Sequence, residues 1–363
     1  MTAPVLNIHA VDPSGAISLT AANVPYSNLQ WNRSRSAPGT FAALIACPLP
    51  VAWPGRYLVT LDGRDEVGVL EKVKAEDDGT PPTLSGRFAE SLWARYRLGA
   101  GGGTIAGANW RQAATEALCA WHMGDLPSLD LSDGCERATG TGYSIAGAAG
   151  ASASDLIYQC ANGNSAHHLI TYDRDASPGS LIVRIVDERD LTTGQSALPW
   201  KVFGLQLGSA LSAGYSGDYS TACSVVIAHA DDTTGEGGGV TVNVPVPSFD
   251  PSAQWEQSAY EDVASLIDSG ASPTTQLVTE AGRLRAQDHE AALEVDCSAI
   301  SAGYRTDWDL GDLCEAEIVS LGLTAVERIE EVRETIKPEG ETLDVTLGTK
   351  YLSRISRAII SNR

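Results

Sequence analysis

The chain opens with short apolar runs that alternate with polar residues and are separated by turn-forming residues. A period of two places successive side chains on opposite faces of a strand, so this pattern predicts β-structure over the first hundred residues. Asp62-Gly63 is typical of a hairpin turn. Several short strands at this spacing indicate a small barrel or sandwich. The predicted strands are Gly39–Ile45, Gly55–Leu61, Glu66–Lys74 and Thr83–Phe88.

Helical spacing of apolar residues follows. Ala89–Leu98 predicts a short helix with Leu92 and Trp93 on one side. Residues 108–122 predict a longer helix, and the glycines of Gly99–Gly103 between the two helices predict a domain boundary.

The central part of the chain predicts loops and a hairpin. Residues 140–154, rich in Gly, Ala and Ser, predict a loop, after which Ser152–Asp155 predicts the cap of a short helix reaching Cys160. Turn residues at 175–179 join two strand-like runs into a predicted hairpin, and a loop around Gly214 and Gly217 separates two further runs. The four predicted strands are His167–Tyr172, Ser180–Val186, Trp200–Leu207 and Thr221–Ala230.

A second flexible boundary is predicted at Asp231–Gly239. Alternating valines at positions 240–246 then predict one strand, which Pro245 confines to a sheet edge because proline lacks the backbone N–H. Helices are predicted at Trp255–Ile267 and Thr275–Leu293, and strands at Leu313–Leu321 and Thr342–Leu347.

The segment 325–336 gives conflicting signals. Val326, Ile329, Val332 and Ile336 are spaced three, three and four residues apart, which is helical spacing. The turn residues on both sides, and the position between two predicted strands, favour β-structure instead. Periodicity by itself favours the helix.

Composition indicates an ordinary globular protein. The 363 residues are 43% hydrophobic and 20% charged, which predicts two to four domains. Residues 1–32 contain no Lys or Arg, so the charged start of a secretory leader is missing. The least polar stretch, Phe41–Gly55, is too short and too rich in proline to span a membrane. We expect synthesis in the cytoplasm, a soluble product and no membrane span.

The formal charge of -21 is unevenly distributed. Residues 1–100 are neutral, whereas residues 251–345 contain 21 acidic and 6 basic side chains. Broad binding to DNA or anionic lipid needs an excess of cations, so such binding is excluded as a main role. The acidity indicates solubility, repulsion from nucleic acid or a basic partner.

No convincing metal site appears. Seven cysteines contain no Cys-x-x-Cys pair, so reduced core thiols are expected. His289-Glu290 lacks the second zincin histidine, because Leu293 stands in its place. Cys119 and His122 have no second ligand pair. The rings of His167 and His168 should face opposite sides of a strand, which predicts one packed and one exposed histidine.

The known catalytic motifs are also incomplete in this sequence. The sequence around Ser144 has Ala where a nucleophile elbow needs its second Gly. Asp173 and Asp175 flank a turn, where Asp is favoured anyway. Gly99–Gly103 lacks the Lys and the Ser or Thr of a phosphate-binding loop. Paired carboxylates for glycoside hydrolysis stay open, since their geometry is not visible in sequence. No catalytic, cofactor-binding or metal-binding residue is therefore assigned, and no cofactor is expected.

Several motifs follow one another in a fixed order along the chain. They are Trp31–Phe41, Val67–Val73, Leu84–Arg97, Val186–Thr192, Val202–Gly204, Tyr215–Ala222, Tyr304–Leu313, Arg328–Val332 and Leu343–Gly348. In order and spacing, over about residues 30–350, this set resembles the siphovirus tail-tip hub proteins of long-tailed bacteriophages.

The resemblance implies a β-dominated α+β fold with two small tube-type β-barrels and α/β accessory regions, related to phage baseplate hubs. It implies a first barrel at 1–98, an accessory domain at 99–190, a second barrel from 191–235 with 300–363, and a second accessory region at 236–299. It also makes residues 325–336 a strand, and we adopt that interpretation over the helical spacing.

The implied function is structural rather than enzymatic. It is a homotrimeric ring at the virion tail tip that joins the tail tube or distal tail protein to the tip, fibre or receptor-binding protein. The tape measure protein is a further expected partner, and DNA would pass through the lumen without specific binding during ejection. Two alternatives stay open: a tail enzyme acting on cell-wall polysaccharide, and the hub of a contractile secretion device.

Overall fold

The computed structural model describes residues 4–76, 80–98, 103–107, 110–120, 129–131, 143–147, 150, 152, 154, 157–158, 166–173, 179–218, 220, 222–231, 239–246, 249, 251, 255–264, 273–287, 289 and 292–348. These residues form two compact units. Unit 1 contains the described residues up to Gly214 together with Asp296–Leu347, and unit 2 contains those from Tyr215 to Val295.

Seven strands form the N-terminal part of unit 1. They confirm the β-structure predicted for the first hundred residues, including the hairpin turn at Asp62-Gly63. Neighbouring strands pair antiparallel in the order β3-β4-β7-β6-β5-β1-β2. The strands are β1 (Leu6–Val11), β2 (Ile17–Val24), β3 (Tyr26–Ser34), β4 (Thr40–Ile45), β5 (Tyr57–Leu61), β6 (Val67–Lys74) and β7 (Thr83–Phe88).

One hydrophobic core receives side chains from all seven strands, so the sheet curls around it. The Trp31 ring lies 4.7 Å from the Phe88 ring and 5.8 Å from the Phe41 ring, centroid to centroid. These spacings are typical of favourable aromatic pairs. Gly68 passes directly over Phe41, and a Cβ at position 68 would lie 2.5 Å from that ring. The alternating apolar residues therefore specify the inner face of the sheet, and a glycine makes room for the largest ring.

The C-terminal strands join the same sheet. They are β19 (Leu313–Ile318), β20 (Leu323–Lys337) and β21 (Gly340–Gly348), and β20 pairs antiparallel with β3 from Glu331↔Ser34 to Ile336↔Leu29. The segment 325–336 is therefore a strand, as the resemblance implied and the helical spacing did not. Ile336 enters the N-terminal core. Unit 1 consequently holds one continuous sheet in which N-terminal and C-terminal strands are neighbours.

Three further strands complete this sheet: β13 (Val202–Phe203), β14 (Ala210–Asp218) and β18 (Ala292–Ala299). Its main path runs from β14 at one end to β2 at the other, and no pairing among the described residues closes it. The loop predicted around Gly214 and Gly217 is wrong, because both glycines lie within β14. Pairing with β18 outweighs the low strand propensity of glycine there.

A second core in unit 1 lies on the outer side of β5 and β6 and includes Leu92, Trp93, Ala113 and Ile170. The strand β10 pairs with β8, so the loop predicted at 140–154 is wrong in part. The predicted helix after Ser152 falls largely outside the described residues, whereas the predicted 167–186 hairpin is confirmed. The elements are α1 (Ser91–Ala94), β8 (Gly103–Gly107), α2 (Trp110–Ala120), β9 (Leu129–Leu131), β10 (Tyr143–Gly147), β11 (Ala166–Asp173) and β12 (Ser180–Asp187).

Unit 2 packs one helix on a three-stranded sheet. Its elements are β15 (Val225–Ala230), β16 (Val240–Pro245), β17 (Ser258–Asp262) and α3 (Thr275–Gln287). The strand order β16-β15-β17 puts β16 at an edge, as Pro245 predicted. The helix predicted at Trp255–Ile267 is wrong, because β17 pairs parallel with β15 and this pairing outweighs local propensity. None of the described helices is long and apolar enough to cross a membrane.

Candidate functional site: a buried ion-pair network

Arginines and carboxylates from distant parts of the chain meet inside unit 1. Arg33 on β3 and Glu66 just before β6 are both buried, and Arg33 Nε lies 2.5 Å from Glu66 Oε1. Arg305 donates from its two terminal nitrogens to the two Glu66 oxygens, each at 3.0 Å. Trp31 Nε1 donates to Glu66 Oε2 at 3.1 Å. Glu66 therefore accepts hydrogen bonds from Arg305 and from the Trp31 indole, and it forms an ion pair with Arg33.

The network continues to β20 through Glu334, whose side chain is fully buried. Arg305 and Tyr304 donate to Glu334 Oε1 at 2.7 and 2.8 Å. Arg64 lies with its Nε 2.5 Å from Glu334 Oε2 and its other end 2.8 Å from Glu341. The β5–β6 turn is thus tied to the C-terminal hairpin.

A second cluster surrounds Glu188. Arg35 Nε lies 2.5 Å from Glu188 Oε1, and Arg328 lies 3.2 Å from Glu188 Oε2. Arg35 also reaches Glu330 at 3.0 Å. Three chain segments, at 35, 188 and 328–330, therefore converge on two carboxylates.

Asp312 anchors the segment that follows Glu188. It accepts hydrogen bonds from the backbone N–H of Arg189 at 3.0 Å and from the Arg189 guanidinium at 3.1 and 2.6 Å. The backbone N–H of Asp309 donates to the same carboxylate at 2.8 Å, and Asp309 itself pairs with Arg33. The loop 304–312 is consequently fixed at both ends.

The arginines decide the charge state of this network. Burial by itself would raise the pKa of Glu66, but Arg305 and Arg33 outweigh burial and hold that pKa far below its ordinary value. Burial raises the pKa of Tyr304, so the phenol stays protonated and donates to Glu334. Groups that are fully paired and ionised in this way are not available as a general acid or base near neutral pH.

Glu90 is the exception among the buried carboxylates. Its Oε1 accepts a hydrogen bond from the Ile170 N–H at 2.9 Å, and its Oε2 has no hydrogen-bond partner among the described residues. Burial raises the pKa of Glu90 to about 7. A raised carboxyl pKa is one mark of an acid catalyst. The adjoining cavity is only about 20 Å3, enough for a water molecule but not for a sugar.

The histidines beside this cavity correct one expectation. His167 and His168 are both buried, so the predicted exposed histidine is wrong. Their rings do face different surroundings: His167 Nδ1 lies 3.7 Å from Glu188, and the His168 ring lies 4.3 Å from the Tyr158 ring. Burial, together with His167, lowers the pKa of His168 to about 3. Both faces of β11 are covered, which a strand pattern by itself does not reveal.

The other sequence candidates do not assemble into a site among the described residues. His289 Nε2 lies 2.8 Å from Glu261 in unit 2. His122, Asp175 and Gly99–Gly102 lie outside the described residues, as do the side chains of Cys119 and Ser144. Within the described part of the chain, no three potential metal ligands cluster together.

A larger recess of about 300 Å3 in unit 1 offers no catalytic pair either. Its lining includes Arg64, Asp65, Glu66 and Arg184. Glu66 is held ionised by its arginines, so it cannot act in this recess as the proton donor that glycoside hydrolysis needs.

The sequence reasoning missed this network, although the signal was present. Arg33 lies near the end of β3 and Arg35 directly follows that strand, and Arg305 and Asp309 lie in the Tyr304–Leu313 motif. Each of those stretches carries part of the resemblance. Arg33 and Arg35, two residues apart beside the apolar Leu29 and Trp31 of β3, were the available clue.

Comparisons with known proteins agree with this architecture. The 43 kDa tail protein of prophage MuSo2 from Shewanella oneidensis matches with a TM-score of 0.59 and 14% identity, over 94% of this chain and 98% of that one. A tail protein from Neisseria meningitidis MC58 matches with a TM-score of 0.59 and 13% identity, over 96% and 97%. The lidded PdpA–VgrG complex of Francisella matches with a TM-score of 0.52 and 10% identity, over 97% of this chain and 53% of that one.

At these identities the structural likeness shows the fold, which is the mostly β fold of phage tail proteins. No curated protein matches the sequence. The model of one protein family matches residues 151–349, more than half of the chain, and confirms the resemblance to siphovirus tail proteins. The chain belongs to the family of siphovirus ReqiPepy6 Gp37-like proteins.

Proposed function

We propose that this chain is a structural hub protein of a phage tail tip. Three copies would form a ring that joins the tail tube or distal tail protein to the tip, fibre or receptor-binding protein. The observation that carries the proposal is the siphovirus family match, on a chain whose fold follows phage tail proteins over 94% of its length. The cavity that Glu66 and Glu90 line is about 20 Å3, which is too small for a sugar, and this supports a non-enzymatic role.

The ion network suits a component that carries mechanical load. It links strand β3, the β5–β6 turn, the 188–190 segment and strand β20, which are far apart in sequence. Removing one partner of a buried pair leaves an uncompensated charge, which costs about 3–5 kcal/mol. Any other register of these strands would leave buried charges unpaired. The sheet therefore keeps one register under mechanical load.

In the proposed ring, residues 1–98 supply one tube-type barrel and residues 191–235 with 300–363 supply another. Three chains would then continue a hexameric tube with pseudo-sixfold symmetry. The regions 99–190 and 236–299 would be accessory parts on the outside. The tape measure protein would meet the same ring before ejection.

The acidity would serve the DNA conduit. Several acidic residues of 251–345 are used internally, as partners of Arg33, Arg35, Arg64, Arg189 and Arg305. Others, including Glu256, Asp262, Glu339 and Asp344, are exposed. If such exposed carboxylates face the lumen, passing DNA is repelled and releases no counterions by contact, so it does not adhere.

A direct test locates the protein and its oligomeric state. Light scattering of the purified chain across a concentration series should show a trimer, and electron microscopy of virions should place a threefold ring at the tail tip. A chain that stays monomeric at all concentrations, together with virions that lack such a ring, would contradict the hub. Clearing of cell-wall material abolished by one carboxylate substitution would favour the enzyme instead.

The hub of a contractile secretion device is the second candidate, because the fold also matches the Francisella PdpA–VgrG complex. Such a device would export effectors rather than DNA. The siphovirus family match favours the phage role. Detection of the protein in purified DNA-containing virions would decide between the two.

A further inference from the structure

Among the described residues, the main path of the unit 1 sheet ends in β2 and β14, and the Ile17–Gly179 bridge is the contact recorded on the outer side of β2. At one end lies β2, within residues 13–32, which contain no Asp, Glu, Lys or Arg. At the other end lies the first part of β14, within residues 202–214, which are also uncharged. Charged residues make up 20% of the chain, and natural edge strands normally carry them to prevent pairing with other molecules.

Exposed leucines mark both edges. Leu211 on β14 is 69% exposed, and Leu19 on β2 is 58% exposed. Both side chains are large and apolar, and neither lies in a stretch of sequence that contains a charged residue. The Glu317 carboxylate approaches Gly204 near the β14 edge.

The β14 edge is part of a wider apolar surface. Strands β13 and β19 run parallel, with Phe203 opposite Ala316, so the turns that follow them lie at the same end. Ser209 bonds back to Val202 O at 2.6 Å, which places the start of β14 beside that end. The apolar edge is defined by these exposed side chains: Leu205, Leu207, Leu211, Val319 and Leu321.

The β2 edge is regular where it is most exposed. Its register with β1 is unbroken from Ile17 to Leu19, opposite Val11 to His9. Ile17 also bridges Gly179, but Ser18, Leu19 and Thr20 are exposed, and no named strand pairs with β2 on its outer side among the described residues. A strand from another molecule would continue the sheet there through backbone hydrogen bonds.

We propose that the apolar edge of one copy docks against strand β2 of a second copy, and that this contact builds the ring. The proposal rests on the proposed homotrimer and adds the surfaces that form it. Two different edges that meet head to tail give a heterologous contact, which closes into a ring by rotation. Copies with a net charge of -21 repel each other, so they associate best through strands that have no charged residues of their own, as in 13–32 and 202–214.

The test uses charge complementation in the full-length chain. Leu211→Glu and Leu19→Lys each place a charge in the proposed contact, and each should raise the dissociation constant of the oligomer by about 100-fold. The double variant Leu211→Glu/Leu19→Lys sets a glutamate opposite a lysine at every contact. We expect it to recover at least about tenfold of the lost affinity.

Leu277→Glu is the matched control, because Leu277 is 41% exposed on α3 of unit 2 and the substitution changes net charge as Leu211→Glu does. Sedimentation velocity over a concentration series measures association, and circular dichroism confirms that each variant is folded. Loss of association in both single variants, with recovery in the double variant, supports the proposal.

The opposing outcomes are distinct. If both single variants associate as strongly as wild type, or if Leu277→Glu weakens association as much as they do, the proposed docking surfaces are wrong. The proposed hub role is not affected by that result. Single variants that weaken association without recovery in the double variant show that the two edges do not face each other, which also overturns the proposal. If the wild-type chain does not associate at any concentration, both the proposed homotrimer and this inference are contradicted.

Discussion

Replacing Glu90 by glutamine should remove most of the fall in the free energy of unfolding that wild type shows as pH rises. Glu90 is buried, it accepts one hydrogen bond from the Ile170 N–H, and the cavity beside it is also lined by Arg33, Glu66, His167 and His168. Burial raises its pKa from 4.5 to about 7. Glutamine keeps the shape of the side chain and the acceptor for Ile170, but it has no proton to release.

The sign and the size follow from proton linkage. Between pH 4.5 and about 7 the unfolded chain releases this proton while the folded chain keeps it, so the free energy of unfolding falls as pH rises. A tenfold change in proton affinity is about 1.4 kcal/mol, and the shift therefore amounts to a loss of about 3 kcal/mol above pH 7. The glutamine amide places an N–H where Oε2 has no partner, which costs about 1–3 kcal/mol at every pH.

We expect Glu90→Gln to be the less stable protein at pH 5 and to match or exceed wild type at pH 8. Urea unfolding followed by tryptophan fluorescence measures this, since Trp31 and Trp93 are buried in unit 1. His168, whose pKa is lowered to about 3, makes both proteins less stable as pH falls below about 6.5, and this effect cancels in their difference. Glu339→Gln, at an exposed position of unit 1, is the control and should follow wild type. Equal changes from pH 5 to pH 8 in wild type and Glu90→Gln would refute the reasoning.

Two further substitutions test the network and the packing of unit 2. Arg305→Met should destabilise unit 1 by about 3–5 kcal/mol, because Glu66 stays buried but loses two hydrogen bonds. Denaturant titration of Arg305→Met, Glu66→Gln and the double variant measures the coupling, and we expect the double variant to lose much less stability than the sum of the two single losses. Additive losses would show that the two residues are not coupled. Gly282→Ala should destabilise unit 2 by about 1–2 kcal/mol despite the better helix propensity of alanine, since the new Cβ would lie 2.7 Å from Ala228 and 2.8 Å from Val244. Thermal unfolding measures the second effect, and an unchanged or raised melting temperature would contradict it.

Much of the secondary structure was predictable because its signals are local. The strands around Phe41 and Val69 alternate with period two, and residues 110–120 have helical spacing, so the elements follow from which side chains share a face. The errors came where neighbouring strands outweighed local preference. The glycines of β14 and the residues of β17 form strands because other strands supply their backbone hydrogen bonds.

The ion network shows the same limit more sharply. Arg33 and Arg305 meet at Glu66 across more than 200 positions of sequence, and no periodicity or composition connects them. The neutral first hundred residues and the acidic 251–345 segment looked like separate features. In the fold, arginines from the first pair with carboxylates of the second.

The sequence by itself determined the β-dominated class, the positions of most strands and the likeness to siphovirus tail proteins, because local periodicity and motif order are written along the chain. Only the tertiary structure decided that N- and C-terminal strands share one sheet, which carboxylates are paired and which histidines are buried. Those outcomes depend on pairing between distant strands and on the loss of solvent at their contacts. Both arise only when the chain has folded.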